Sequence, residues 1–243
     1  MTKRSKPSDD QPIAYDSRSV LNPISPFLLL IAGAAALIEI ILMLAESDLI
    51  GGPDARNWRT VWAQDFGFYD RVFEQLRETG FGLLAAQPEL ALGFITYPFI
   101  HYSTPSALVG TIIFLAVGRA VSLRFSVWAA LVTFGIGILS AAFAYGFVSS
   151  SGLRLMGMFE PSCALLGAYC WTEYRFRQLA GDPIWPAFRI VFFLAILNIV
   201  QYLFFQPTDF WVAQLAAFLA GFGAAYVLAP GAARRIVARL RGN

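Results

Sequence analysis

The sequence predicts an all-α, polytopic membrane protein, a bundle of six transmembrane helices, from composition and spacing alone. Three observations carry the six-helix expectation. Hydrophobic residues make up 57% of the 243 and charged residues only 14%, against about 25% charged in ordinary soluble domains. The apolar residues gather in six runs, most of them long enough for a hydrocarbon layer of roughly 30 Å. Of the 18 Lys and Arg, 13 fall in the two tails and in the two turns that six crossings place on the same side. Short basic segments stay in the cytoplasm, so both termini are expected there.

Residues 1–22 are polar and carry Lys3, Arg4, Lys6 and Arg18. They read as a disordered cytoplasmic tail and not a cleavable leader, because the apolar sequence starts late and no small-residue cleavage site precedes it. The membrane domain is expected over 23–229. Its first span runs from about Ser25 to Ala45. An outer first loop, 46–104, follows. Within it NWRTVWAQDFGFYDRVFEQLRETG mixes aromatic and charged residues at near-helical spacing, which predicts a short helix in the membrane interface. Its Phe66, Phe68, Tyr69 and Phe73 suit an interfacial anchor or a partner surface.

The remaining runs are Pro105–Leu123, Ser126–Val148, Met156–Trp171, Ala187–Phe205 and Phe210–Leu228. The fourth run is short for a full crossing, so its start is expected inside the protein and not against lipid. Residues 230–243 form a basic cytoplasmic tail, RRIVARLRGN at its end, suited to anionic lipid heads at about 1 kcal/mol per basic residue. Arg119, Arg124, Arg175, Arg177 and Arg189 share the cytoplasmic side with the tails, whereas Arg56, Arg59, Arg71, Arg77 and Arg154 lie outside. No repeat or matched pair of halves is visible, which argues against a transporter built from repeats. Cys163 and Cys170 lie in apolar sequence and imply no disulfide framework. Nothing suggests a nucleic acid partner.

Ionisable groups at bilayer depth are costly and mark candidate function. Glu39 falls inside the first span, where the bland role is an interhelical hydrogen bond. Glu160 stands at the mouth of the fourth, directly before Pro161. An acid followed by proline suits a helix start, so Glu160 reads equally as a cap or as a cavity residue. Asn198, Gln201 and Gln214 are expected to link helices. In the last run Ala213, Ala217, Gly221 and Ala225 recur every four residues, a stripe that lets helix backbones approach closely. Gly118 and Gly167 are further packing candidates.

The stretch FITYPFIHYSTPSALVGTIIFLAVGRAVSLRF, residues 94–125, resembles the signature of the rhomboid intramembrane proteases. Trp58 and Arg59 are similar to the tryptophan–arginine pair of that family's first loop. EPSCALLG at 160–167 resembles the family's serine motif, and WVAQLAAFLAGFGAA at 211–225 resembles its final helix. The resemblance covers most of residues 25–228, in the family's order. It implies a six-helix fold, a serine nucleophile on the fourth helix, a histidine base on the sixth, and an upstream histidine and asparagine that hold the oxyanion.

Carried over by position, the nucleophile is Ser162. The base position holds Gln214, the oxyanion histidine position Ser106 and the oxyanion asparagine position Gly110. The glycines flanking the serine are replaced by Glu160 and Cys163. A glutamine amide accepts no proton near neutral pH, so Ser162 lacks a base. Losing one oxyanion donor costs about a hundred- to a thousand-fold in turnover, and losing the base costs further powers of ten. No catalytic residues are therefore expected. The resemblance implies instead a pseudoprotease of the bacterial cytoplasmic (inner) membrane. It would bind transmembrane clients and affect their stability, assembly or location, as inactive relatives such as derlins and iRhoms do. Its lateral opening is expected between the second and fifth helices, with Ser106, Glu160, Ser162 and Gln214 lining a cavity and His101, Trp58 and Arg59 beside it. The lipid bilayer, client proteins and a homo- or hetero-oligomeric partner are the expected contacts, with no cofactor. Two alternatives stand beside this. One is copper or small-ligand handling through Met156, Met158, Cys163 and His101, soft or borderline donors. The other is a residual hydrolase assisted by Glu160 or His101.

Overall fold

A computed structural model describes residues 24–80, 82–149, 151–204 and 208–229. The expected tails, 1–22 and 230–243, lie outside the described residues. Helix α1 spans Pro26–Glu46, α6 Thr104–Arg124, α7 Val127–Val148, α8 Phe159–Ala180, α9 Arg189–Phe204 and α10 Phe210–Leu228. The first loop holds α2 (Trp58–Phe66), α3 (Val72–Thr79), α4 (Gly82–Ala86) and α5 (Pro88–Thr96). The bundle starts are local and chemical. Ser25 caps α1 ahead of Pro26, and Ser126 accepts from the Ala129 N–H at 3.0 Å to start α7. Ser103 and Ser106 form a reciprocal capping box on α6, with Pro105 in its first turn. These side chains satisfy backbone donors that no helical carbonyl reaches.

Among the described residues four helices, α1, α6, α7 and α10, are long and apolar enough to cross a bilayer. The chain is thus an all-α, multi-pass membrane protein. The other two expected spans are also helices. Helix α9 has 16 residues, about 24 Å of helix. Helix α8 corrects the expected Met156–Trp171: it starts later and continues to Ala180, 22 residues in all. The extension, Thr172 to Gln178, is mostly polar, and its Glu173, Arg175, Arg177 and Gln178 favour helix without being apolar. It stops at Gly181 in the left-handed conformation (φ 73°), where a glycine costs nothing sterically. The start of α8 matches expectation, since every residue from Glu160 to Ala168 is buried.

Helix α8 forms the centre of the bundle, packed against α6, α7 and α10, with α1 against α6. Small residues make this possible. Ala213, Ala217, Gly221 and Ala225 are all buried, as the stripe predicts. A Cβ added to Gly221 would stand 2.6 Å from the Ala164 Cα, and one added to Gly167 would stand 2.8 Å from the Phe222 N. The α8 and α10 backbones are therefore in direct contact, a separation that larger residues would forbid. Gly118 faces Leu28 of α1, where an added Cβ would stand 3.4 Å from the Leu28 Cδ2. Helix α9 differs from all of these: none of its described residues is buried, and Phe192, Phe193, Ile196 and Leu203 are more than half exposed.

The stretch 57–80, expected as one short helix, is two, α2 and α3, because Gly67 and the segment after it break the run. Strand β1 (Phe68–Tyr69) pairs antiparallel with β2 (Arg154–Leu155), Phe68 opposite Leu155 and Tyr69 opposite Arg154. That pairing ties the first loop to the segment leading into α8. Phe68 and Phe73 are buried and not interfacial: Phe73 stacks on Phe147 of α7 at 4.4 Å, and Phe68 meets Phe94 at 4.7 Å. Near-helical spacing within the loop showed an apolar face, but not that the loop folds back against α7.

Candidate functional site

Two polar clusters lie at the end of the bundle where α6 and α8 start. The first is built on Arg59, at the start of α2. Its guanidinium meets Glu39 of α1 through two nitrogens, 3.0 and 2.8 Å, and Glu46 through two, 2.5 and 3.2 Å. The remaining N–H of Nη1 reaches the His101 carbonyl at 2.9 Å. Five donors thus make five hydrogen bonds, the full capacity of an arginine. The Thr104 hydroxyl donates to Glu39 as well, at 2.7 Å. Burial alone would lower the Arg59 pKa, but the bonds to the two carboxylates more than reverse this and hold it above its ordinary value. Glu39 is therefore an ion-pair partner, a stronger role than the expected hydrogen bond. Trp58 stands beside this cluster, stacked on Trp62 at 6.5 Å. The cluster fastens the first loop onto α1 and α6.

The second cluster surrounds the start of α8. Glu160 lies in the first turn of α8, and its own backbone N–H and the Gln214 side chain of α10 are the hydrogen-bonding groups that face its carboxylate. The Gln214 Oε1 in turn accepts from Asn198 Nδ2 of α9 at 2.9 Å, and Asn198 also donates to the Leu194 carbonyl at 3.0 Å. A ladder thus runs from half-buried Asn198 and Gln214 to Glu160, which is 7% exposed. Of the two roles expected for Glu160, cap or cavity residue, its place in the first turn of α8 fits the helix-start role, and its meeting with Gln214 of α10 is an addition to both. Of the expected helix-linking amides, Asn198 and Gln214 bond each other, and nothing is described of the Gln201 side chain.

Ser162 is fully buried, and its hydroxyl donates to the Met158 carbonyl at 2.6 Å, one turn back along its own helix. The α8 residue that meets Gln214 is Glu160, not Ser162. Ser106 spends its hydroxyl on the capping box, donating to the Ser103 carbonyl at 2.7 Å. Gly110 packs on the start of α8, where an added Cβ would stand 3.3 Å from the Phe159 N. Gly110 lies six residues into α6, about 9 Å along its axis, so the start of α8 is set back from the end of the bundle by that much.

His101 adjoins both clusters. It is 1% exposed, and neither ring nitrogen has a partner among the described residues. Burial pushes its pKa down and the Arg59 charge adds to this, while Glu39 pulls it back only in part, so the ring is neutral at pH 7. Its Cδ2 and the Glu160 Oε2 flank Gly157, 3.6 and 3.7 Å from the place a side chain there would occupy. Gly157 has φ +107°, a conformation glycine adopts freely. Tyr102 completes the surroundings. Its hydroxyl donates to the Arg154 carbonyl, and burial, with Tyr145 and Glu160 nearby, pushes its pKa up.

The soft donors do not converge. Met156 lies against Gly67, Met158 against Gly110, and the Cys163 thiol points to the Phe159 carbonyl at 3.6 Å. Among the described residues no group of three or more His, Cys, Asp or Glu is placed to hold a metal ion. Sequence reasoning missed Thr104, Gly157 and the place of Glu46 in the first cluster. No local pattern marks a threonine, a glycine or an acid at a helix end as part of a site.

Comparison with known proteins adds two findings. A family model described as Rhomboid domain matches residues 89–231, more than half of the chain. No curated protein matches the chain.

Proposed function

The chain belongs to the rhomboid family, and we propose that it is a pseudoprotease of that family, one that binds transmembrane client proteins and affects their stability, assembly or trafficking without cutting them. The observation that carries the first half is the hydrogen bonding of Gln214. Its amide is engaged between Asn198 and Glu160, while the Ser162 hydroxyl is turned to a carbonyl of its own helix. A serine nucleophile needs a base within hydrogen-bond reach, and an amide cannot serve as one. Gly110 and the capping role of Ser106 leave the oxyanion positions without side-chain donors aimed at a reacting carbonyl.

Client binding draws its support from α9. A helix with no buried described residue, joined to α10 by the Asn198–Gln214 bond, borders the gap that the family resemblance places between α6 and α9. A client helix entering there meets the apolar surfaces of Leu108, Ile112 and Ile196, then the polar ladder. Six crossings with both termini in the cytoplasm of a bacterial inner membrane complete the proposal. The test is a photo-crosslinking residue at Leu108 or Ile196, with the same residue at Leu139 of α7 as control, all three positions being exposed. Membrane-protein adducts at the first two positions and not the third are expected. Equal yields at all three would contradict client binding through the gap.

A further inference from the structure

The two buried carboxyls of the bundle helices are treated in opposite ways. Glu39 is met by an arginine. Glu160 is met only by neutral groups, its own N–H and the Gln214 amide. Among the described residues no Lys or Arg pairs with it. Arg59, the basic side chain of the adjoining cluster, has no N–H left to offer. A carboxylate has about four lone-pair positions, and its own N–H and Gln214 answer at most two of them. Acceptor capacity therefore remains at a place where water is scarce and an unpaired acid is costly.

A second observation points into the same space. The His101 ring is buried with both nitrogens unpartnered, and it stands across Gly157 from the Glu160 Oε2. A neutral imidazole offers one acceptor and one donor. Any residue larger than glycine at 157 would fill the space between them. Glu160 and His101 thus present surplus acceptors and no cation, at outer-leaflet depth. The ladder through Gln214 and Asn198 leads from them to the loosely held α9.

We infer that Glu160, with His101 beside it, is a docking point for a lysine or arginine carried within the outer-leaflet half of a client's transmembrane segment. This rests on the client-binding reading and names the class of client. Charge complementarity is the reason for a basic residue. The client's cation is as costly in the bilayer as the unpaired acid, and pairing relieves both. The ammonium or guanidinium takes the free lone pairs of Glu160, and the acceptor nitrogen of neutral His101 receives a further N–H. Entry requires the Asn198–Gln214 bond to open so that α9 can move aside.

The test uses the full-length protein reconstituted in phosphatidylcholine–phosphatidylglycerol vesicles, with labelled Leu/Ala transmembrane peptides read by energy transfer. One peptide carries a lysine about two turns below its outer end, and its twin carries leucine there. The lysine peptide is expected to bind roughly tenfold more tightly, about 1.4 kcal/mol. Glu160→Gln, near-isosteric and still able to bond Gln214, brings it down to the leucine peptide. Protection of the buried Cys163 and Cys170 thiols checks that the variant is folded. Equal binding of the two peptides to the unmodified protein overturns the basic-residue site while leaving client binding intact. A lysine preference that survives Glu160→Gln also overturns it. Failure of both peptides to bind removes the client-binding reading as well.

Discussion

Replacing Arg59 by alanine removes five hydrogen bonds, and its cost is set by what it strands. The side chains of Arg59 and Glu39 are only 12% and 8% exposed. Without the guanidinium, Glu39 keeps the Thr104 hydroxyl at 2.7 Å and no cation. Removing one member of a buried ion pair costs about 3–5 kcal/mol. The Glu46 arm adds little, because that carboxylate is 40% exposed and such pairs contribute roughly 0–1 kcal/mol. For a chain of this size each kcal/mol lowers the melting temperature by about 2–4 °C, so Arg59→Ala should fall by roughly 6–20 °C. Cys163 and Cys170 are free and buried, so a thiol-reactive fluorogenic dye reports unfolding directly in detergent micelles. The double variant Glu39→Leu/Arg59→Leu strands no charge and should recover most of the loss. A fall of less than about 2 °C for Arg59→Ala, or a double variant as unstable as the single one, would refute the buried-pair reasoning.

Three further outcomes follow from the same structure. Gly221→Leu should abolish stable folding in thermal melts, because even its Cβ collides with the Ala164 backbone, whereas Gly223→Ala, with open space around its Cβ, should melt within about a degree of the parent. Tyr97→Phe removes a buried hydroxyl that donates to the Ile138 carbonyl at 3.0 Å and should cost about 0.5–1.5 kcal/mol in the same assay. His101 carries a pKa depressed by burial, so the unfolded chain binds its proton first. Its stabilising contribution is complete above the unfolded value, near 6.5, and is lost as pH falls through the lower folded value. The melting temperature should therefore drop between pH 7.5 and 5.5, and His101→Gln should show a smaller drop over the same interval.

The parts of the fold that are written locally were legible in the sequence. The starts of α1, α6 and α7 carry serine caps within a residue or two of the apolar runs, and the α10 stripe declares its buried face by spacing alone. The length of α8 was not legible from hydropathy, because its last turns are polar helix. The burial of Phe68 and Phe73 depended on a loop folding onto α7, and the pairing of Arg59 with Glu39 joins residues from two elements with a loop between them. Within the site, Glu160, Ser162 and Gln214 were all visible as candidates. Which of the two α8 residues meets Gln214 is decided by the rotation of α8 against α10, and that rotation is fixed by Gly221 on Ala164 and Gly167 on Phe222. Two positions along a helix turn a side chain by about 200°, so no motif match on the sequence reveals the partner.

Client binding without cleavage requires that Ser162 have no group to take its proton. The most direct measurement is cleavage of a transmembrane rhomboid model substrate by the purified protein in liposomes, run beside Ser162→Ala. No product above that of the Ser162→Ala protein is expected over prolonged incubation. Product that forms with the parent chain and vanishes with Ser162→Ala would contradict the account.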